Sequence, residues 1–143
     1  MKLTTFYLLP AILLLVMIAC SDSDDQAIDE DLLNVVWRVD TLQTPEEEIV
    51  PGPDTLMTIQ FTEDMKVSGH AACNDYEGVY TNPENGSLAV DIQAITLMAC
   101  TEWEFLEYSF LQALENVTAY DAGENRLNLY DSEGQYVLHF SIE

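Results

Sequence analysis

Few side chains in this sequence could do chemistry, and most of those that could are cysteines and histidines. Cys20, Cys73 and Cys100 are its thiols, and His70 and His139 are its only side chains that titrate near neutral pH without help. Covalent catalysis needs a nucleophile, a base and an orienting group within reach of one another. Neither histidine is accompanied by a recognisable serine or cysteine nucleophile motif. His70 lies three residues before Cys73, a spacing that zinc can use, but no Cys-x-x-Cys pair supports it, so no metal is expected. Acidic residues number 26 against 4 Lys and Arg, so nearly any fold would bring two carboxylates together. A glycosidase-like pair therefore carries no weight without a sugar-binding motif. These residues predict a protein that is not an enzyme and has no cofactor. A small hydrolase using His70 with acidic neighbours is the opposing reading.

Cys20 belongs to a different chemistry. Lys2 supplies a short positive start, and no charged side chain occurs from Leu3 to Ile18. Met17, Ile18, Ala19 and Cys20 then place a small residue just before a cysteine. The segment is too short to span a bilayer comfortably, and its flanks suit a signal peptide. It resembles the lipobox of bacterial lipoproteins, in which the cysteine thiol receives a diacylglyceryl group before cleavage. An ordinary signal peptide cut near Ala19 is the alternative. With Cys20 assigned to lipid, Cys73 and Cys100 remain as an even pair in an oxidising compartment. A disulfide between them would stabilise the fold by about 3–4 kcal/mol on the chain-entropy view.

Six of the ten residues from Asp22 to Asp31 are acidic, which describes a self-repelling tether. The stretch lacks the central glycine and ligand spacing of a calcium loop. The organisation read here is a lipoprotein signal peptide at 1–19, an acidic tether at 20–32 and one folded domain at 33–143. The formal charge of −22 disfavours nucleic acid and anionic membrane surfaces as partners. Lipid on Cys20 would then hold the chain at a membrane that its protein part does not favour, each buried methylene contributing about 0.8 kcal/mol. The acidic run behind Cys20 also resembles the export signal of surface lipoproteins. The expected location is the outer membrane of a Gram-negative bacterium, on its periplasmic or its cell-surface face.

The elements that must position these residues follow from periodicity. Val35, Trp37 and Val39 alternate with Val36, Arg38 and Asp40, predicting a strand with Trp37 directed inward. Thr44–Pro53 reads as a loop, rich in proline and charge. Met57, Ile59 and Phe61 form a half-buried strand that should turn at Glu63-Asp64 into a hairpin with Met65–His70. Tyr76–Tyr80 reads as a further strand. Asn85-Gly86 marks a turn before Ser87–Ile95, where Leu88, Val90, Ile92 and Ala94 are expected on one face.

From Thr101 the period changes: Leu106, Phe110, Leu111, Leu114 and Val117 recur at helical spacing. Thr101 and Glu104 have the spacing of a capping box. Two closing strands follow, Arg126–Tyr130 and Gln135–Ile142, the second with Tyr136, Leu138, Phe140 and Ile142 inward. The fold class expected is α+β: a mostly antiparallel sheet curled toward an incomplete barrel and packed against one amphipathic helix.

Several segments in order resemble the META domain family, also called HslJ-like, of bacterial envelope lipoproteins and secreted proteins. Trp37 and Leu42 match its opening strand. Gly69 to Tyr80 match a Gly-x-x-Gly-Cys-Asn-x-Tyr-x-Gly-x-Tyr segment, with Ala72 where the family has glycine before the cysteine. Thr96-Leu97-Met98-Ala99-Cys100 matches its Thr-x-Met-Ala-Cys motif intact. Glu107, Phe110, Leu111, Leu114, Val117 and Tyr120 match its helix and exit. Leu127, Leu129, Gly134 and Phe140 match its last hairpin. The resemblance implies a compact β-rich domain with the two cysteine segments close together, and links to envelope stress (heat shock among them) and secretion.

Among the polar and aromatic residues, Asn74, Tyr76, Gly78 and Tyr80 are read as architectural: a turn-satisfying amide, a close-packed glycine and core tyrosines. Trp103, Phe105 and Tyr108 are the candidate binding surface, because Phe105 and Tyr108 should lie toward the helix flank. The function expected is binding of a protein partner or small hydrophobic ligand in the envelope. Inhibition of an extracellular protease is the related alternative.

Overall fold

A computed structural model of the chain describes residues 30–82 and 86–142. Cys20, the signal segment and most of the acidic tether lie outside the described residues. The elements are β1 Trp37–Gln43, β2 Glu48–Ile49, β3 Thr58–Phe61, β4 Lys66–Ala71 and β5 Asn74–Thr81. They continue as β6 Ala89–Ile95, α1 Glu104–Glu115, β7 Ala119–Gly123, β8 Arg126–Tyr130 and β9 Tyr136–Ser141. Eight strands form one antiparallel sheet in the order β6-β5-β4-β3-β1-β9-β8-β7, with β2 paired to β1.

The two ends of this sheet curl toward each other. Leu88 donates its N–H to the Thr118 carbonyl at 3.0 Å, and Tyr120 donates to Gly86 at 2.9 Å. A bridge between Ser87 and Ala119 therefore joins the approach to β6 with the start of β7. Strands β6 and β7 themselves do not pair, and α1 packs over β6, β4 and β9. The architecture is the expected α+β half-barrel covered by one helix.

The core explains why these segments pair. Trp37, Ile59, Phe61, Leu127, Leu138 and Phe140 all point inward and are fully buried, each large apolar side chain contributing about 1.5–3 kcal/mol. The helix adds Phe110 and Leu114. Tyr76 meets Phe110 edge-on at 5.8 Å and Tyr80 meets Phe61 at 5.1 Å. Both tyrosines stay hydrogen-bonded: their hydroxyls donate to the carbonyls of Thr58 and Thr62, each at 2.8 Å. Burial pushes the Tyr76 phenol well above its ordinary value, because the phenolate would be desolvated. The core begins at Leu32, whose carbonyl accepts the Trp37 indole N–H at 3.3 Å. That is one residue inside the stretch read from sequence as tether.

Four details differ from the sequence reading, each for a local reason. The alternation expected in β6 holds at Leu88 and Val90, then fails: Ile92 is half-buried and Ala94 exposed. Glu77 pairs with Ala94 but Gly78 pairs with Ile92, so Gln93 is an extra residue that reverses the facing of the strand beyond it. Gly78 makes the bulge possible, since a Cβ there would sit 2.1 Å from the Asp91 carbonyl oxygen.

The capping box at Thr101 and Glu104 does not form. The helix starts at Glu104, with Trp103 in the cap position and no side-chain cap. Trp103 N–H is bonded to the Cys100 carbonyl at 3.0 Å, so the turn behind the cysteine fixes the first helical residue. Third, β7 pairs fully with β8 although its sequence, Ala-Tyr-Asp-Ala-Gly, shows little alternation. Fourth, the Thr44–Pro53 loop contains β2. In β9, Leu138 and Phe140 are buried and Ile142 is half-buried, as read; the side chain of Tyr136 lies outside the described residues.

Candidate functional site

Three pieces of the chain are tied together where the β4–β5 turn, the segment after β6 and the first turn of α1 meet. A disulfide joins Cys73 to Cys100 across 27 residues, with Cα atoms 6.1 Å apart. Asn74, next in sequence and buried, connects all three pieces. Its backbone N–H donates to Glu107 Oε2 at 2.8 Å, and its side-chain amide donates to Glu107 Oε1 at 3.0 Å. Its carbonyl oxygen accepts the Met98 N–H at 2.7 Å and the Thr96 hydroxyl at 3.0 Å. Bonds to a carboxylate are about twice as strong as neutral ones, and Glu107 lies in the first helical turn, where the macrodipole favours negative charge.

The turn that presents Asn74 is tight. Cys73 N–H bonds the Ala71 carbonyl at 2.8 Å around Ala72, whose φ is 66°. This is the strained form of γ-turn, in a region where a Cβ is unwelcome. The glycine of the family pattern would relieve it, yet the turn persists with alanine.

The clamped segment is not buried. Leu97 is 93% exposed and Met98 59%, although both are apolar. Sequence reasoning identified the motif that contains them without anticipating this exposure. It also matched Glu107 without assigning it a role, because Asn74 and Glu107 are 33 residues apart and no spacing rule connects them.

The aromatic candidates lie on the other side of the helix start. Phe105 and Tyr108 are 63% and 64% exposed and line one groove of about 860 Å³. Its walls are the flank of α1, the Gln43–Glu46 turn and the Asp131–Gln135 turn. Trp103 is half-buried at the helix cap and does not line this groove. Tyr108 also borders a smaller groove of about 340 Å³ between α1 and β6, so its ring stands on the ridge between the two. Glu46, Glu115, Asp131 and Glu133 surround the larger groove, and no lysine, arginine or histidine among the described residues lines it.

The histidines do not converge. His70 Nδ1 lies 2.8 Å from Asp75 Oδ1, across the β4–β5 hairpin. His139, on β9, contacts Asn128 through Nδ1 and lies 3.7 Å from Asp40 through Nε2. Two strands intervene between β4 and β9, so the imidazoles sit on strands roughly 14 Å apart at about 4.8 Å per spacing. Ser141 also donates to Asp40, at 2.9 Å. There the carboxylate stands between serine and histidine, whereas hydrolytic triads put the histidine between serine and carboxylate. No group of three metal-ligating side chains converges among the described residues.

A family model for the META domain matches residues 30–142. Among solved structures, a protein from Burkholderia xenovorans determined by NMR is similar at 23% identity and TM-score 0.62, covering 78% of this chain and 83% of its own. A DUF4847 family protein from Bacteroides vulgatus ATCC 8482 is similar at 16% identity and TM-score 0.56, covering 77% of this chain and 93% of its own. At these identities the likeness concerns the fold. A search of curated proteins gave no match.

Proposed function

The chain belongs to the META domain family, and from that premise we propose that it is a lipid-anchored envelope protein that works by binding another protein rather than by catalysis. The observation that carries this reading is the pair of exposed aromatic rings, Phe105 and Tyr108, over a groove beside α1. Large rings left in water on a rigid element are the usual anchors of protein interfaces. The acidic rim of the groove favours a partner of positive charge.

Anchoring rests on Lys2, the uncharged run before Ala19 and the cysteine at position 20. The domain would then hang on its acidic tether at the outer membrane of a Gram-negative cell, on the periplasmic or the outer face. A role in envelope stress or secretion accords with the family resemblance. The non-enzymatic part of the reading draws on two features. Cys73 and Cys100 are joined, so neither offers a thiolate. Asp40 takes the place that a catalytic histidine would need beside Ser141.

Recovery of partners from cross-linked outer membranes tests the binding surface. The wild-type chain should retain a stoichiometric partner that the Phe105→Ala/Tyr108→Ala variant loses; retention by both chains, or by neither, counts against the reading. Mass spectrometry of the intact mature N-terminus tests lipidation, and an unmodified Cys20 would remove that part. The His70–Asp75 contact is the one feature that favours a hydrolase instead, since it supplies an oriented base. Loss of a hydrolytic activity in His70→Ala would support that second reading.

A further inference from the structure

We infer that Thr96–Met98 is a substrate-like docking loop for a serine endopeptidase whose primary pocket takes an apolar side chain, with Leu97 as the residue that enters it. The loop is a different surface from the helix flank, and it shares with the functional reading only the premise that a protein is met.

Three observations converge on the loop. Leu97 and Met98 are 93% and 59% exposed, so the chain forgoes burying two apolar side chains here. The backbone on either side is fixed: Thr96 N–H bonds the Asp75 carbonyl at 3.0 Å, and Met98 N–H bonds Asn74 Oδ1 at 2.7 Å. The disulfide holds the chain two residues further on. Between these fixed points, the N–H and C=O of Leu97 have no partner among the described residues.

Those free groups are the ones a serine endopeptidase recognises. The carbonyl fits an oxyanion hole, the N–H pairs with enzyme backbone and the side chain fills the specificity pocket. A loop fixed on both sides by such bonds loses little freedom on docking.

The same clamp explains why docking would not end in digestion. Attack by the enzyme's serine Oγ on the Leu97 carbonyl carbon forms an acyl ester and breaks the Leu97–Met98 bond. The serine proton passes through the enzyme's histidine to the Met98 nitrogen. That amine stays tied to Asn74 and, through Cys100, to Cys73, so it remains beside the ester at high effective concentration. Reversal re-forms the peptide bond and returns the proton to the serine.

The test is cleavage of fluorogenic peptides by chymotrypsin and by trypsin in the presence of the full chain. The wild-type chain should inhibit chymotrypsin at micromolar concentration or below and spare trypsin. Leu97→Gly should weaken chymotrypsin inhibition about a hundredfold, and Leu97→Lys should transfer inhibition to trypsin. Position 97 is exposed, so both variants keep the fold. Asn74→Ala should be cut between Leu97 and Met98, with its folding checked by circular dichroism. Cleavage of the wild-type chain there as fast as a linear peptide of residues 94–101 would overturn the inference. So would a Leu97→Lys variant that leaves trypsin untouched. Neither result bears on the helix flank, which is read by partner recovery in Phe105→Ala/Tyr108→Ala.

Discussion

The two surfaces that flank the start of α1 are built on opposite plans. On one side, the Thr96–Cys100 segment is cross-linked by a disulfide and hydrogen-bonded to a buried asparagine, yet ends in bare apolar side chains. On the other, Phe105 and Tyr108 overlook a wide groove whose far walls are two surface turns. The Asp131–Gln135 wall is closed by local bonds, such as Glu133 and Gln135 N–H to Asp131 Oδ1 at 2.9 and 3.0 Å. The contrast teaches that exposure and order are separate properties. The first surface is pinned by contacts distant in sequence, while the second is walled by turns whose bonds are local.

Substitutions can break that contrast, and the largest effect belongs to the cross-link. Replacing Cys73 and Cys100 together with Ser should lower stability by about 3–4 kcal/mol in urea denaturation. Hydrogen exchange at Thr96 and Met98 should accelerate in the same variant, while exchange at Glu133 and Gln135 should not change. Asn74→Ala should cost about 2–3 kcal/mol, because it removes the link between Glu107 and the loop and leaves buried groups unpaired. An equal acceleration of exchange on both sides of α1 would show that the two surfaces are held alike.

Alkaline titration reports on the neighbouring core. The folded Tyr76 phenol is held well above 10.0, whereas in the unfolded chain it ionises near that value. The unfolded state therefore binds fewer protons above pH 10, so stability should be full below that pH and fall as pH rises past it. Tyr76→Phe should flatten this fall in denaturation curves taken across the range. Ala72→Gly has a smaller effect of opposite sign, a gain of up to about 1 kcal/mol, because it relieves a left-handed alanine while loosening the unfolded chain. The smallest effect is expected on the groove side. Phe105→Ala with Tyr108→Ala should shift stability by less than about 0.5 kcal/mol, since both rings are exposed.

How much of this could be read from the chain depends on the range of the interaction. The Met57–His70 hairpin and the paired strands around Asp131–Gly134 were legible because alternation and turn chemistry act over a few residues. The same rules miss β7, where Tyr120 is the only buried residue of the strand, and cannot foresee that Gln93 is an extra residue. The helix was legible as a stripe from Leu106 to Val117, but its first residue was set by a cysteine bonded elsewhere. In the candidate site, the exposed pair Phe105 and Tyr108 followed from helical geometry. The Asn74–Glu107 bond did not, because it depends on tertiary placement alone.

The entry of the chain into the domain has a mechanical consequence. Asn34 N–H bonds the Phe61 carbonyl at 2.8 Å, Leu33 bridges the same residue in parallel, and Leu32 is locked under the Trp37 indole. Tension arriving from the N-terminal side therefore meets this small latch before it reaches β1, the strand at the middle of the sheet. A pull strong enough to free Leu32 would expose Trp37 first, so indole fluorescence would register the load while most of the strands remained paired.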